Sequence, residues 1–178
     1  MTGRHLFLVG YRGSGKSSVG RILAERMNRP FVDTDHWVEL HSQRSIKELF
    51  EKEGEEAFRD WESLAIDSVC VPGSVSSIIS LGGGAILRPG NRAMLKQHGQ
   101  TVWLTAPATT LASRISRDEA NRIRRPSLTG LGELDEVEKV LALREPLYRE
   151  AADWTLNTEA LELDEIADQI ARWASLHP

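Results

Sequence analysis

The sequence is poor in cysteine, in long apolar runs and in excess positive charge. The single cysteine, Cys70, cannot form an internal disulfide, so we expect a reducing compartment and a thiol that serves as inert packing. No apolar run approaches the roughly 18 residues of a membrane span. The net charge of -4 argues against non-specific nucleic-acid binding, which requires a basic face. The absences therefore favour small-molecule partners over nucleic acids or membranes.

Length and the start of the chain add two expectations. A chain of 178 residues is expected to form one domain, residues 1–178, with a single core that requires no disulfide or metal. The first predicted strand begins at His5, which leaves no room for a signal or transit peptide. We therefore expect a cytoplasmic protein, and we expect it to be a monomer.

The most informative stretch is Gly10–Ser17, which fits the pattern G-x-x-x-x-G-K-[ST]. The apolar run His5–Val9 before it is typical of a buried strand, and Ser18–Met27 after it has apolar residues at helical spacing. Glycines let such a loop curl so that its N–H groups and the helix N-terminus point at one anion. This pattern predicts nucleotide binding; the alternative is a glycine-rich turn that only caps a helix.

Within this loop the pattern assigns separate roles. Lys16 is expected to reach the β- and γ-phosphates of ATP and to be catalytic, and Ser17 is expected to supply a hydroxyl to Mg²⁺. The remaining nucleotide-binding residues predicted here are Gly13, Ser14, Gly15 and Ser18.

Two carboxylates follow the loop and its helix. Pro30–Asp35 is predicted to be a strand with Asp33 and Asp35 at its C-terminal end, both on one face if the strand extends that far. Ligands of open parallel sheets lie beyond the carboxyl ends of the strands, so these acids are expected to face the nucleotide. The alternative for one of them is an N-cap of the helix that begins near His36.

A helical region is predicted over residues 35–71, with a break at Gly54. Arg59 and Glu62 lie three residues apart on its last helix, and their spacing alone favours a solvated ion pair.

The chain continues to alternate strands and helices. The strand Val75–Leu81 runs into Gly82–Gly84, where the backbone is expected to approach a ligand closely; a flexible turn is the alternative. Residues 116–132 are basic and aperiodic, which fits either a mobile lid or solvated surface. The other predicted strands are Thr101–Thr105 and Asp153–Asn157, and the other predicted helices are 90–98, 107–115, 134–150 and 163–176.

The combination of motifs resembles the shikimate kinase family. The resemblance is carried by Gly10–Ser17, Phe31–Asp35, Gly54–Glu62, Ser80–Ala85, Arg125–Pro126 and Arg144–Tyr148. It implies an α/β, three-layer P-loop kinase fold with a five-stranded parallel sheet in the order 2-3-1-4-5, flanking helices and a mobile lid. It also implies ATP- and Mg²⁺-dependent phosphorylation of the 3-hydroxyl of shikimate, a step of aromatic amino acid biosynthesis.

The resemblance further implies roles for charged residues. Asp33 matches an acid near Mg²⁺, and Asp35 matches the acid that holds the shikimate hydroxyls and is a candidate base. Arg59 and Arg144 match the two arginines that hold the substrate carboxylate. Arg125 matches a catalytic lid arginine that reaches the phosphates of ATP.

Three weaker matches complete the site. Gly82 and Gly83 match backbone positions that line the shikimate site, and Arg114 falls near the position that stacks on adenine. The lid departs from the family, because Ser127 stands where leucine is common and the segment 115–124 is strongly basic. The competing functions are a gluconate kinase-like enzyme and a non-catalytic module that binds nucleotide.

Overall fold

A five-stranded parallel sheet forms the centre of the computed structural model, which describes residues 4–117 and 133–177. Its strand order, β2-β3-β1-β4-β5, confirms the predicted 2-3-1-4-5 arrangement. The strands are β1 His5–Val9, β2 Phe31–Asp33, β3 Ile78–Ser80, β4 Gly99–Thr105 and β5 Trp154–Asn157.

Helices cover both faces of this sheet. They are α1 Lys16–Met27, α2 Thr34–Ser42, α3 Ile46–Val69, α4 Pro89–His98, α5 Ala108–Arg117, α6 Glu133–Ala151 and α7 Leu163–Leu176, with a 3₁₀ turn at Ala85–Leu87. Helices α1 and α7 pack together on one face, and α3, α4 and α6 contribute to the core on the other. Within the described residues, no helix is both long and apolar enough to cross a bilayer.

The central strand β1 is buried on both faces, as its unbroken apolar sequence predicts. Leu6 and Leu8 pack toward α1 and α7, whereas Phe7 and Val9 pack toward the opposite face. The alternation follows from the two-residue period of a strand. Because β1 is parallel to both of its neighbours, the carboxyl ends of all three strands lie at the edge where the phosphate-binding loop begins.

The second strand is shorter than predicted. It ends at Asp33, whose Oδ1 accepts hydrogen bonds from the backbone N–H groups of Asp35 (3.0 Å) and His36 (3.3 Å). These bonds make Asp33 the N-cap of α2, so the helix begins at Thr34. The strand does not extend to Asp35, which already lies in the helix, so the condition for a shared strand face is not met. The alternative, that one of the two acids is an N-cap, is confirmed for Asp33.

The structure also bears on Gly54, on Cys70 and on the first residues of the predicted lid. Gly54 interrupts α3 with φ 84° and ψ 174°, which confirms the predicted break. Cys70 is buried in the core, and burial raises the pKa of its thiol to about 11, which agrees with inert packing. Ser116 and Arg117, the first two residues of the predicted lid segment, belong to helix α5. The rest of the predicted lid, including Arg125, lies outside the described residues.

Candidate active site

The phosphate-binding loop turns through three glycines with positive φ, namely Gly10 (145°), Gly13 (78°) and Gly15 (89°). Such angles are costly for residues with a side chain. A Cβ atom at Gly10 would also collide with the carbonyl oxygen of Leu104 in β4. Both the curvature of the loop and its close approach to the sheet therefore require glycine at this position.

Helix α1 begins at Lys16 without a side-chain cap, so the first N–H groups of the helix are positioned to donate to an anion. The Lys16 side chain is buried and turns back over the loop. Its Nζ donates to the carbonyl oxygens of Gly10 (2.8 Å) and Tyr11 (2.9 Å), with Ser14 Oγ at 3.4 Å. These contacts place one cation at the centre of the loop.

A hydroxyl and a carboxylate meet beside this loop. Ser17 Oγ donates to Asp33 Oδ2 at 2.6 Å and lies 3.3 Å from Ser80 Oγ at the end of β3. Oxygen donors of these two kinds suit Mg²⁺, which usually keeps several waters and phosphate oxygens as well. Within the described residues, no cluster of three or more His, Cys, Asp or Glu could hold a metal ion by itself. The residues present therefore fit a largely hydrated magnesium ion.

A cavity of about 90 Å³ joins the loop to the acid in α2. Asp35, in the first turn of α2, shares it with Lys16 of the loop and Gly83 beyond β3. The full lining is Arg12, Gly13, Lys16, Ser17, Asp35, Ser80, Leu81 and Gly83. The cavity therefore places a candidate phosphate-binding cation and a carboxylate around one small volume.

The glycine segment Gly82–Gly84 reaches this cavity through Gly83 and is held by three side chains. Gly82 N–H donates to Thr34 Oγ1 at 3.0 Å. The carbonyl oxygen of Gly83 accepts hydrogen bonds from Arg144 Nη1 (3.2 Å) and from the Tyr148 hydroxyl (2.5 Å). The segment is thus fixed by hydrogen bonds, which does not support the alternative of a flexible turn.

The same segment also receives the second arginine. A Cβ atom at Gly84 would lie 2.5 Å from Cζ of Arg59, so the guanidinium occupies the space that a side chain would need. Arg59 comes from α3 and Arg144 from α6, and both reach adjacent glycines. The structure therefore brings together the two arginines that the sequence predicted as a pair.

Arg59 is held by two glutamates on its own helix. It pairs with Glu62 and with Glu55 Oε1, the latter at 2.7 Å. Burial alone would lower the pKa of Arg59, but the carboxylate of Glu62 and the hydrogen bonds that Arg59 donates to both glutamates raise it above its ordinary value. The predicted ion pair with Glu62 is present, yet the prediction that it is solvated is wrong, because Arg59 is 5% and Glu62 1% exposed.

The predicted adenine-stacking residue lies on the other side of the loop. Arg114 in α5 donates to Oγ1 (3.0 Å) and to the carbonyl oxygen (2.8 Å) of Thr158, just after β5. Its Cβ is 3.6 Å from the position a Cβ would take at Gly13. Arg114 therefore borders the phosphate-binding loop at the carboxyl edge of the sheet.

Comparison with known proteins identifies the family. The sequence profile described as "Shikimate kinase" matches residues 12–175. A shikimate kinase of Rhodopirellula baltica is 41% identical over 171 residues, covering 96% of this chain and 90% of that protein. The chain belongs to the shikimate kinase family. The protein is therefore a P-loop kinase that uses ATP and Mg²⁺, and the predicted phosphorylation of shikimate is confirmed for its family.

Solved structures agree with this assignment. A shikimate kinase from Acinetobacter baumannii in complex with shikimate has a TM-score of 0.89 and 34% identity, covering 98% of this chain and 94% of that one. A gluconokinase from Sinorhizobium meliloti has a TM-score of 0.56 and only 16% identity, which shows a shared fold and nothing finer. The comparisons thus favour the shikimate kinase family over the gluconate kinase-like alternative.

Sequence reasoning missed several side chains that shape this shikimate kinase-family site. Thr34 accepts a hydrogen bond from Gly82 N–H. Its place in the sequence between the candidate site residues Asp33 and Asp35 was the one signal that could have indicated it. Tyr148 lies one helical turn after Arg144 and therefore on the same face of α6. Arg12 and Glu136 form an ion pair that no local pattern indicated, because 124 positions separate them.

Proposed function

We propose that this protein transfers the γ-phosphoryl group of ATP to the 3-hydroxyl of shikimate, at the cavity between the phosphate-binding loop and Gly82–Gly84. One observation carries the proposal: Arg59 and Arg144, from different helices, lie against the adjacent glycines Gly84 and Gly83. Gly83 lines the same cavity as Lys16. Paired guanidinium groups suit a planar carboxylate, and shikimate carries one.

On the nucleotide side, the N–H groups of Gly13, Ser14, Gly15 and Ser18 would bind phosphate oxygens. Lys16 would exchange its bonds to loop carbonyls for bonds to the β- and γ-phosphates. Ser17 and Asp33 would hold Mg²⁺, directly or through water, and the ion would neutralise charge on the phosphates when bound.

On the acceptor side, Arg59 and Arg144 would orient the shikimate carboxylate, with Gly82 and Gly83 along its ring. Asp35 would accept a hydrogen bond from the attacking hydroxyl. The hydroxyl oxygen forms a bond to the γ-phosphorus while the bond between that phosphorus and the bridging oxygen of ADP breaks. The hydroxyl proton passes to Asp35 or to water, so the products are ADP, shikimate 3-phosphate and a proton.

Two further arginines complete the proposed assignment. Arg114 would stack on adenine, since it borders the loop beside Thr158. Arg125 would reach the transferred phosphate. Every group in this scheme comes from one chain, so we also propose that the protein is a monomer that works as a single domain. We propose the cytoplasm as its location. Size-exclusion chromatography with light scattering tests the oligomeric state.

An acceptor screen tests the function. ADP release is measured with ATP and Mg²⁺ in the presence of shikimate, of gluconate, or of no acceptor. Of these additions, only shikimate should stimulate ADP release. Lys16→Ala should abolish this stimulation, because it removes a cation that stabilises the transition state by several kcal/mol. Stimulation by gluconate without stimulation by shikimate would refute the proposed substrate. Release that is independent of any acceptor would refute a transferase.

A further inference from the structure

An ion pair connects the phosphate-binding loop to helix α6. Arg12 Nη2 donates to Glu136 Oε1 at 2.5 Å. The Glu136 side chain is 2% exposed and that of Arg12 is 17% exposed, so both charges are largely withdrawn from water. A buried carboxylate is costly unless a cation compensates it, so this pair ties the position of the arginine to that of α6.

The face of α6 that carries Glu136 is the face that serves the acceptor site. Glu136, Val140, Arg144 and Tyr148 follow one another at intervals of four residues, and all are buried. The last two bind the carbonyl oxygen of Gly83. One helix face therefore holds the glycine segment at one end and the phosphate-binding loop at the other.

Arg12 lines the same cavity as Lys16 and Asp35. Its bond to Glu136 engages one of the five N–H donors of a guanidinium group, a planar donor set whose geometry matches phosphate oxygens. The backbone of Arg12 also lies close to the glycine segment, since its N atom is 3.7 Å from the position a Cβ would take at Gly83. Arg12 thus borders the volume in which the proposed function places phosphoryl transfer.

We propose that Arg12 donates to the phosphoryl group as it moves to the acceptor, and that Glu136 is the positioning residue that holds Arg12 against the cavity. The proposal rests on the proposed function and adds to it a cation that the loop pattern does not specify. Arg12 then distinguishes phosphorylated from unphosphorylated acceptor, because it contacts the phosphoryl group that only the phosphorylated form carries.

Titration calorimetry with shikimate and with shikimate 3-phosphate tests this directly. Arg12→Met should weaken shikimate 3-phosphate binding about 10- to 100-fold, the cost of a charge-assisted hydrogen bond, and leave shikimate within about threefold of wild type. Arg12→Lys retains the positive charge but lacks the planar guanidinium group. It should therefore lose less of the preference for shikimate 3-phosphate over shikimate than Arg12→Met does. Arg26→Met, which removes an arginine that pairs with Asp164 and Asp168 on another surface, should leave both affinities unchanged.

Glu136→Gln separates positioning from simple structural support. It should reduce the preference for shikimate 3-phosphate over shikimate several-fold, whereas a purely structural contact would lower the melting temperature and leave that preference intact. The proposal is overturned if Arg12→Met weakens the binding of both ligands equally, or weakens the binding of neither. Should Arg12→Met not fold, the same two results for Arg12→Lys overturn it. Wild-type protein that binds neither ligand would instead refute the proposed function, so the two failures are distinguishable.

Discussion

Asp33 and Asp35 differ in what their carboxylates contact. Asp33 uses one oxygen to cap α2 and the other to accept the Ser17 hydroxyl. Asp35 instead lines the cavity beside Lys16 and Gly83. The first acid therefore lies beside Ser17, where we propose a metal ion, and the second lies in the cavity where we propose the acceptor hydroxyl.

Substitution by asparagine should separate these two acids. Asp33→Asn removes charge near the metal site, so we expect the Mg²⁺ concentration needed for half-maximal rate to rise about tenfold, with partial rescue at high Mg²⁺. Its stability should change little, because asparagine caps helices as well as aspartate does. Asp35→Asn should lower kcat without rescue by Mg²⁺. If Mg²⁺ rescues Asp35→Asn and not Asp33→Asn, the assignments are reversed.

The two arginines proposed to bind the substrate carboxylate, Arg59 and Arg144, should differ in how much their loss lowers the free energy of unfolding. Replacing either Arg59 or Arg144 by Met should raise the KM for shikimate about 10- to 100-fold and leave ATP affinity nearly unchanged. Arg59→Met also leaves the buried carboxylate of Glu62 with less compensation, which should cost about 3 kcal/mol of unfolding free energy. Arg144→Met removes a hydrogen bond to the neutral carbonyl of Gly83, so its cost should be smaller.

Urea denaturation measures this difference between the two arginine variants. Adding Glu62→Gln to Arg59→Met should restore part of the lost stability, because the second change removes the buried charge. Equal destabilisation by Arg59→Met and Arg144→Met would contradict the account of Glu62 as a buried counter-charge.

At the scale of the element, the segment after β3 determines where Arg59 lies. A Cβ at Gly84 would displace the guanidinium, so Gly84→Ala should raise the KM for shikimate about tenfold while ATP still binds. Gly90 is a matched control, because a Cβ there meets nothing within 4 Å and the residue lies in the first turn of α4. Gly90→Ala should leave both KM values unchanged. Unaltered shikimate kinetics in Gly84→Ala would refute the steric argument.

The sequence predicted elements better than it predicted the contacts between them. Gly10–Ser17 was recognisable because its chemistry is local, and the break at Gly54 followed from residue type alone. The predicted end of β2 at Asp35 was wrong because Asp33 can either continue the strand or cap the following helix. The folded chain shows that it caps the helix. The buried state of the Arg59–Glu62 pair depends on what packs over α3, and the spacing of two residues carries no such information.

At the scale of the whole molecule, His5 links the start of the sheet to the segment before β3. Its Nδ1 accepts from the backbone N–H of Ser77 at 3.2 Å, and its Nε2 lies 3.1 Å from Ser74 Oγ. Burial, together with the nearby charges of Arg29 and His98, lowers the pKa of His5 below its ordinary value of 6.5. The fold therefore favours the neutral ring.

This lowered pKa predicts a sign for the pH dependence of stability. Below pH 6.5 the unfolded chain protonates His5 more readily than the folded chain does, so the unfolded state binds more protons. The free energy of unfolding therefore decreases as the pH is lowered. The contribution is complete above pH 6.5 and is lost toward the lower folded pKa. The stability advantage of wild type over His5→Gln, measured by urea denaturation, should therefore shrink between pH 7 and pH 5. An advantage that is constant or grows on acidification would contradict the account.

The central claim is that Arg59 and Arg144 form one carboxylate site opposite the phosphate-binding loop. Steady-state kinetics with shikimate and its methyl ester, which lacks the charge, tests this claim most directly. Wild type should use the ester with a kcat/KM lower by about 100-fold or more, because two charge-assisted contacts weaken together. For Arg144→Met, the kcat/KM values for shikimate and for its methyl ester should differ by less than about tenfold. A wild-type enzyme that uses acid and ester equally, or an Arg144→Met variant that retains full discrimination, would contradict the claim.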